Sequence, residues 1–352
     1  MHLFGILNFN RIFVDQFFRN FVVKKIFKKI LLLLVSLFVA ILFLMLLPRV
    51  LAKLYPAKPP VGYYFINPTI LAVYTGLESL TDKSSQTPEH VEVIRNIEYK
   101  KINGKSLQMD IYQPNNDFHR PPLLVFIHGG GWSHGDRNEY LNYALYFAGL
   151  GYMTATVTYR VVKDATYPAC VEDITDAVKF IVENNDKYYF NPDKVVLIGG
   201  SAGAHLAMLA AYGWKQAGKE ADSANLVVNK HKIKALVEMY GPVDFTTPYA
   251  RQHPMVTRLM AHSWEETPKL FAEASPIFWV NKNSPPTLIL QGTRDNLVPL
   301  SQAEQLKHKL DSLAVPNVYK TLPGWPHTMD QVKRVNDYCR LTMRDFFEKY
   351  VK

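Results

Sequence analysis

The chain has 352 residues, 48% of them apolar, which is enough to bury a large core within one α/β domain and does not require two. Its formal charge of +9 is uneven, because residues 1–60 hold Arg11, Arg19, Lys24, Lys25, Lys28, Lys29, Arg49, Lys53 and Lys58 against the single acid Asp15. The remainder is nearly neutral, which excludes the broad basic face of a nucleic-acid-binding domain.

From Ile30 to Leu47 the chain reads ILLLLVSLFVAILFLMLL, with Ser36 its only polar residue. As a helix this run would span about 27 Å, close to the ~30 Å hydrocarbon core of a bilayer. It also lacks the polar face of a helix packed on a soluble domain. A transmembrane helix over residues 30–47 is therefore expected. It should remain uncleaved, because a long basic segment (1–29) precedes it and no small-x-small site follows. Most of the flanking cations lie before the run, so the N-terminus is expected in the cytoplasm and the folded part on the outer, periplasmic or luminal, side. Within 1–29, Phe9, Ile12, Phe13, Phe17, Phe18, Phe21 and Val22 alternate with Arg11 and Arg19. That pattern suits either a helix in the headgroup layer or a continuation of the membrane helix.

Residues 48–90 read as a linker stiffened by Pro48, Pro56, Pro59 and Pro60. Within it, the mixed segment 61–88 either covers the mouth of a site or packs on the body. Residues 91–352 are regular. An antiparallel pair (91–101 and 106–112) turns at Asn103-Gly104, and strands follow at 123–128, 152–158, 194–199, 233–240, 286–291 and 317–322. Helical stretches fall near 138–149, 169–184, 202–213, 301–313 and 329–349. This alternation predicts an α/β fold: a mostly parallel, twisted sheet with helices on both faces and sites at the carboxyl ends of the strands. A short helical cap is expected at about 244–280. Cys170 and Cys339 belong to no metal or redox pattern and are expected to be buried free thiols.

Gly199-Gly200-Ser201-Ala202-Gly203 ends the strand KVVLIG and opens the helix AHLAMLAAY, the setting that makes G-x-S-x-G a nucleophile elbow. A glycine-rich phosphate loop would need G-x-G-x-x-G after the first strand, and that spacing is missing. His128-Gly129-Gly130-Gly131-Trp132 ends an earlier strand, and its glycines leave backbone N–H groups free to face an oxyanion. The donors this implies are the amides of Gly130, Gly131 and Ala202. A serine hydroxyl needs a base and an acid that orients the base. Asp295 follows the strand PTLILQ and His327 follows the last strand, giving the order Ser, Asp, His. Asp244 competes with Asp295 for the acid role, or else orients a loop. His205 is expected to pack beneath the glycine loop, while His134, Asp136 and Arg137 brace it. Trp132 and Trp325, with the cap aromatics Tyr249, Trp264, Phe271 and Phe278, are candidates to line an apolar substrate pocket. No metal or nucleotide motif is present, so no cofactor is expected.

From about Ile97 onward the chain resembles the esterase/lipase branch of the α/β-hydrolases. The resemblance rests on HGGGW at 128–132, GGSAG at 199–203, GPVDF at 241–245, GTRDNLVP at 292–299 and GWPHTMD at 324–330. Hormone-sensitive-lipase-like carboxylesterases and feruloyl or acetyl-xylan esterase-like proteins carry this set. The resemblance implies Ser201, Asp295 and His327 as the triad of a carboxylesterase acting on a small or lipid-like ester. An amidase or peptidase using the same triad, and a non-catalytic binding protein on the hydrolase fold, are the alternatives. The membrane helix and the short cap depart from the soluble family pattern.

Overall fold

Short apolar runs alternating with amphipathic stretches produce, in the computed structural model, a mixed sheet covered by helices. The structure describes residues 3–55, 58–63, 72–81, 86–115, 120–214, 227–228 and 231–352, and the side chains of residues 3–22 and 227–228 are outside that description. The chain divides into two compact units, Met1–Pro56 and Ala57–Lys352.

The first unit is one helix, α1 (Leu3–Leu54), which runs through Pro48. The expected linker therefore begins later than residue 48. A proline removes one backbone donor, and the helix formers Leu46, Leu47, Leu51 and Ala52 on either side offset that loss. Within α1, Val23–Leu54 is long and apolar enough to cross a bilayer, with a mean hydropathy of 3.3 over its most apolar window. The side chains behind the headgroup-layer reading, Phe9 to Val22 with Arg11 and Arg19, lie outside the described residues.

The second unit is built on strands β1 (Val91–Ile102), β2 (Lys105–Pro114), β3 (Pro122–Ile127), β4 (Met153–Val157), β5 (Asn191–Gly200), β6 (Val227–Val228), β7 (His231–Met239), β8 (Thr287–Gly292) and β9 (Asn317–Leu322). Their order is β1-β2-β4-β3-β5-β7-β8-β9, with β6 paired on β7. Pairings β1·β2, β2·β4 and β6·β7 are antiparallel and the rest are parallel. Asn103 and Gly104 both have positive φ, 49° and 78°, as a two-residue hairpin turn matched to the strand twist requires.

Helices α2 (Leu141–Gly149), α3 (Ala169–Glu183), α4 (Ala202–Ala211), α5 (Leu300–Ser312) and α6 (Lys333–Tyr350) cover the sheet. Alternate residues of β3 divide between two cores: Leu123, Val125 and Ile127 join α3 and α4, whereas Leu124 and Phe126 join α2 and α6. Burial on both faces explains why these strands read as continuous apolar runs. Each fully buried side chain of this kind contributes roughly 1.5–3 kcal/mol. The cap interval holds only short helical turns, Pro248–Arg251, Pro254–Met260 and Pro268–Glu273. Both cysteines are buried and free.

The segment after Pro56 is part of the second unit. Gly62 N donates to Pro323 O at 2.7 Å, Thr81 N to Gln331 O at 2.8 Å and Lys333 N to Ser79 O at 2.8 Å. Of the two placements open to 61–88, residues 61–63 and 72–81 thus pack on the body, while 64–71 and 82–85 lie outside the described residues.

Candidate active site

The parallel register carries four strand ends to one rim. Ile127 pairs with Gly199, Gly200 with Met239, and Gly292 with Leu322, so the loops after β3, β5, β8 and β9 emerge side by side. Ser201 sits at the turn after β5, with φ 55° and ψ −124°. Such a backbone persists only where its surroundings over-determine it. They do so by close approach: a Cβ on Gly199 would lie 2.3 Å from the carbonyl of Gly203, and one on Gly203 would lie 2.1 Å from Ile127 O. Ser201 N donates to Met239 O at 2.8 Å, which ties the turn to β7.

Ser201 Oγ lies 2.9 Å from His327 Nε2, and His327 Nδ1 lies 2.6 Å from Asp295 Oδ2. The Asp295 side chain is fully buried. Its Oδ1 accepts from the amides of Leu297 (2.9 Å) and Val298 (2.8 Å), and its Oδ2 accepts from Gln291 Nε2 (3.1 Å). With this carboxylate accepting from every side, the shared proton belongs on His327 Nδ1, and Nε2 is left to accept from the serine hydroxyl. Asp244 is occupied elsewhere. Its Oδ1 accepts from Thr246 N and Thr246 Oγ1, and its own amide donates to Gln302 Oε1, so it shapes the turn after β7.

The glycine loop is fastened from outside. Tyr159 Oη donates to His128 O at 2.9 Å, and the Tyr159 ring stacks on the His128 imidazole at 4.3 Å. Burial pushes the His128 imidazole below its ordinary value. Gly130 has φ 102°, and a Cβ there would meet His134 O at 2.1 Å, so the turn accepts only glycine. Arg137 pairs with the buried Asp110 at 2.9 Å, and Asp136 accepts from Asn138 N to cap the next turn. His205 is fully buried, accepts no role at the rim, and contacts Ala274 O at 2.7 Å. Burial pushes its imidazole down to about 4.

A cavity of about 240 Å³ opens over Ser201 and His327, and Gly130 and Gly131 form part of its wall. Trp132 and Trp325 are not among its lining residues, which corrects their expected place. Trp132, with φ 56°, is buried edge-on against His205 and Phe245. Trp325 is fully buried, and its Nε1 donates to Pro60 O at 2.7 Å. The cap aromatics Tyr249, Trp264, Phe271 and Phe278 do not line the cavity either, and Phe271 is fully buried.

The lining residues that the sequence reading missed include Tyr140, Tyr240, Met255, Leu297 and Asp330. Tyr240 Oη donates to Asp330 Oδ1 at 2.5 Å, and its ring stands edge-on to His327 at 4.9 Å. Burial raises the Asp330 carboxyl above the usual range. Tyr240 directly follows β7 and Asp330 lies in GWPHTMD, so strand-end position and the motif were usable signals for both. Met255 carried none.

A family model, BD-FAE, matches residues 109–310. Two esterases of Mycobacterium tuberculosis are similar in sequence. LipQ is 32% identical over 223 residues, covering 60% of this chain and 51% of its own, and LipC is 30% identical over 217 residues, covering 59% and 53%. The chain thus spans about half the length of these curated relatives. Among solved structures, the propionate-bound esterase Est2 of Thermogutta terrifontis superposes with a TM-score of 0.62 at 22% identity, covering 74% of this chain and 96% of that one.

Proposed function

The chain belongs to the BD-FAE family, within the esterase/lipase branch of the α/β-hydrolases, and on that premise we propose that it is a membrane-anchored serine carboxylesterase. One observation carries the reading: the unbroken hydrogen-bonded line from Ser201 Oγ through His327 to Asp295. In the first step Ser201 Oγ bonds to the ester carbonyl carbon while its proton passes to His327 Nε2. Asp295, fixed by three N–H donors, stabilises the imidazolium that forms. The carbonyl oxygen becomes an oxyanion facing the amides of Gly130, Gly131 and Ala202. Ala202 opens α4, and the first amides of a helix have no intrahelical acceptor. Collapse of the intermediate expels the alcohol, which takes the proton from His327. Water then attacks the acyl-enzyme by the same route and releases the acid.

The cavity volume lies below the usual range for ligand pockets, roughly 300–1,000 Å³, which favours a short acyl group. We assign the apolar run 30–47, within the long apolar helix Val23–Leu54, as the anchor, with the N-terminus cytoplasmic and the hydrolase on the outer face, from the excess of cations before that run. Residues 57–352 form the catalytic domain, with the cap within 244–280.

The test is hydrolysis of p-nitrophenyl esters from acetate to decanoate, and of matching anilides, by the full chain in detergent. Turnover should be greatest for acetate to butyrate and negligible for anilides. A preference for anilides supports an amidase, and inactivity on all of them overturns the esterase reading. Protease protection of the C-terminus on the cytoplasmic side overturns the orientation.

A further inference from the structure

His327 sits on a loop with little regular structure of its own between β9 and α6, and Thr328 beside it has φ 55°, a strained value for a β-branched residue. The turn after β8 holds it through Arg294 N to Trp325 O and Gly324 N to Thr293 Oγ1, both 2.9 Å, and a second set of contacts comes from far away in the chain. On its leading side Gly62 N donates to Pro323 O at 2.7 Å, and Trp325 Nε1 donates to Pro60 O at 2.7 Å. On its trailing side Thr81 N donates to Gln331 O and Lys333 N to Ser79 O, each at 2.8 Å, around a bridge between Leu80 and Val332.

Arg334 joins the two sides. Its Nε pairs with Glu78 at 2.7 Å, a second guanidinium nitrogen donates to Val61 O at 2.9 Å, and its plane lies 4.7 Å from the Trp325 ring centre. Glu78 is itself buried and also accepts from Tyr63 Oη at 2.8 Å. A planar fork satisfied on two sides in a buried setting sets geometry as well as adding stability.

We propose that residues 58–63 and 72–81, the stretch between the anchor and the first strand, act as a strap that holds the His327 loop in its reactive position, with Arg334 as the positioning residue that locks it. The proposal rests on His327 being the base. The strap lies outside the 109–310 family match and outside every motif that carries the family resemblance. Arg334 reaches neither Ser201 nor substrate; it acts through the loop alone.

The experiment uses the full chain in detergent with Arg334→Met, Arg334→Lys and Glu78→Gln. Arg344→Gln, an exposed pair with Asp345 on the same helix, serves as the control. Each variant is measured for kcat and KM on a short-chain ester, for melting temperature, and for hydrogen exchange in peptides covering 323–332. Arg334→Met should lower kcat at least tenfold with KM within twofold, and should speed exchange in 323–332 while β5 and β8 keep wild-type protection. Arg334→Lys keeps the charge but loses the fork, so it should restore part of kcat. A kcat within twofold of wild type in both Arg334→Met and Glu78→Gln overturns the proposal, whatever the melting temperature. So does a rise in KM at constant kcat, or unchanged exchange in the loop. If the wild type hydrolyses no ester yet exchange responds as described, the strap stands and the esterase reading falls.

Discussion

The serine and the histidine of this site reach the same rim by different means. Ser201 is placed by its neighbours in sequence. Gly199 and Gly203 let β5 and α4 approach until no Cβ would fit, and the strained φ follows from the turn itself. His327 sits on a loop held by contacts distant in sequence, from Thr293 and Arg294 to Gly324 and Trp325 and, more than 240 positions earlier, from Pro60 to Trp325 and Glu78 to Arg334. One half of the dyad is therefore encoded in five consecutive residues, and the other in a long-range assembly that no short motif records.

The comparison is broken most sharply at the chemistry. Ser201→Ala and Asp295→Asn should each lower kcat/KM by about 10,000-fold or more, whereas Asp244→Asn, in its turn away from His327, should stay within a few-fold of wild type. Steady-state kinetics on a short-chain ester measure all three, and a large loss in Asp244→Asn would reassign the acid. On the serine side, Gly203→Ala sets a methyl against Ile127 O and should cost ~3 kcal/mol or more, seen as lost soluble protein or a much lower melting temperature. A smaller effect is expected on the histidine side. Trp325→Phe loses the bond to Pro60 O and leaves a gap where the buried indole met Arg334 and Tyr63, so it should cost about 2 kcal/mol in urea unfolding and lower kcat without raising KM.

How far the site could be read from residues alone follows the same division. The strands and the helix after Ser201 were readable, because apolar runs buried on two faces and a glycine-flanked serine are local patterns, and the three residues read as Ser, Asp, His are in hydrogen-bond contact. The strap was not, since residues 58–81 have no periodicity and acquire meaning only once β9 and α6 are in place. The tryptophans misled for a related reason. Trp132 and Trp325 stand beside reactive residues in sequence, but one ring packs in the core against His205 and Phe245 and the other is buried with its Nε1 bonded to Pro60 O. Tyr240 and Asp330 line the cavity because a strand end and a loop happen to converge, a pairing 90 residues apart.

The smallest expected effect concerns the sheet between the two halves. Glu238 on β7 is fully buried, accepts from Gly241 N at 2.8 Å, and is pushed by burial from its ordinary 4.5 up to about 8. Between those values the unfolded chain is ionised while the folded chain holds its proton, so the folded state binds more protons and stability falls as pH rises through that window. Glu238→Gln keeps an acceptor for Gly241 and removes the titration. Its melting temperature should therefore exceed wild type by more at pH 8 than at pH 5, and equal differences at both would show that Glu238 does not titrate in this range.

The central claim is that Ser201 is made nucleophilic by His327. The most direct measurement is peptide mapping by mass spectrometry after treating the full chain with a fluorophosphonate, for wild type and for His327→Ala. The account predicts one adduct, on Ser201, in the wild type, and labelling slowed by at least a hundredfold in the variant. An adduct on another serine, or equal labelling without the imidazole, would contradict it.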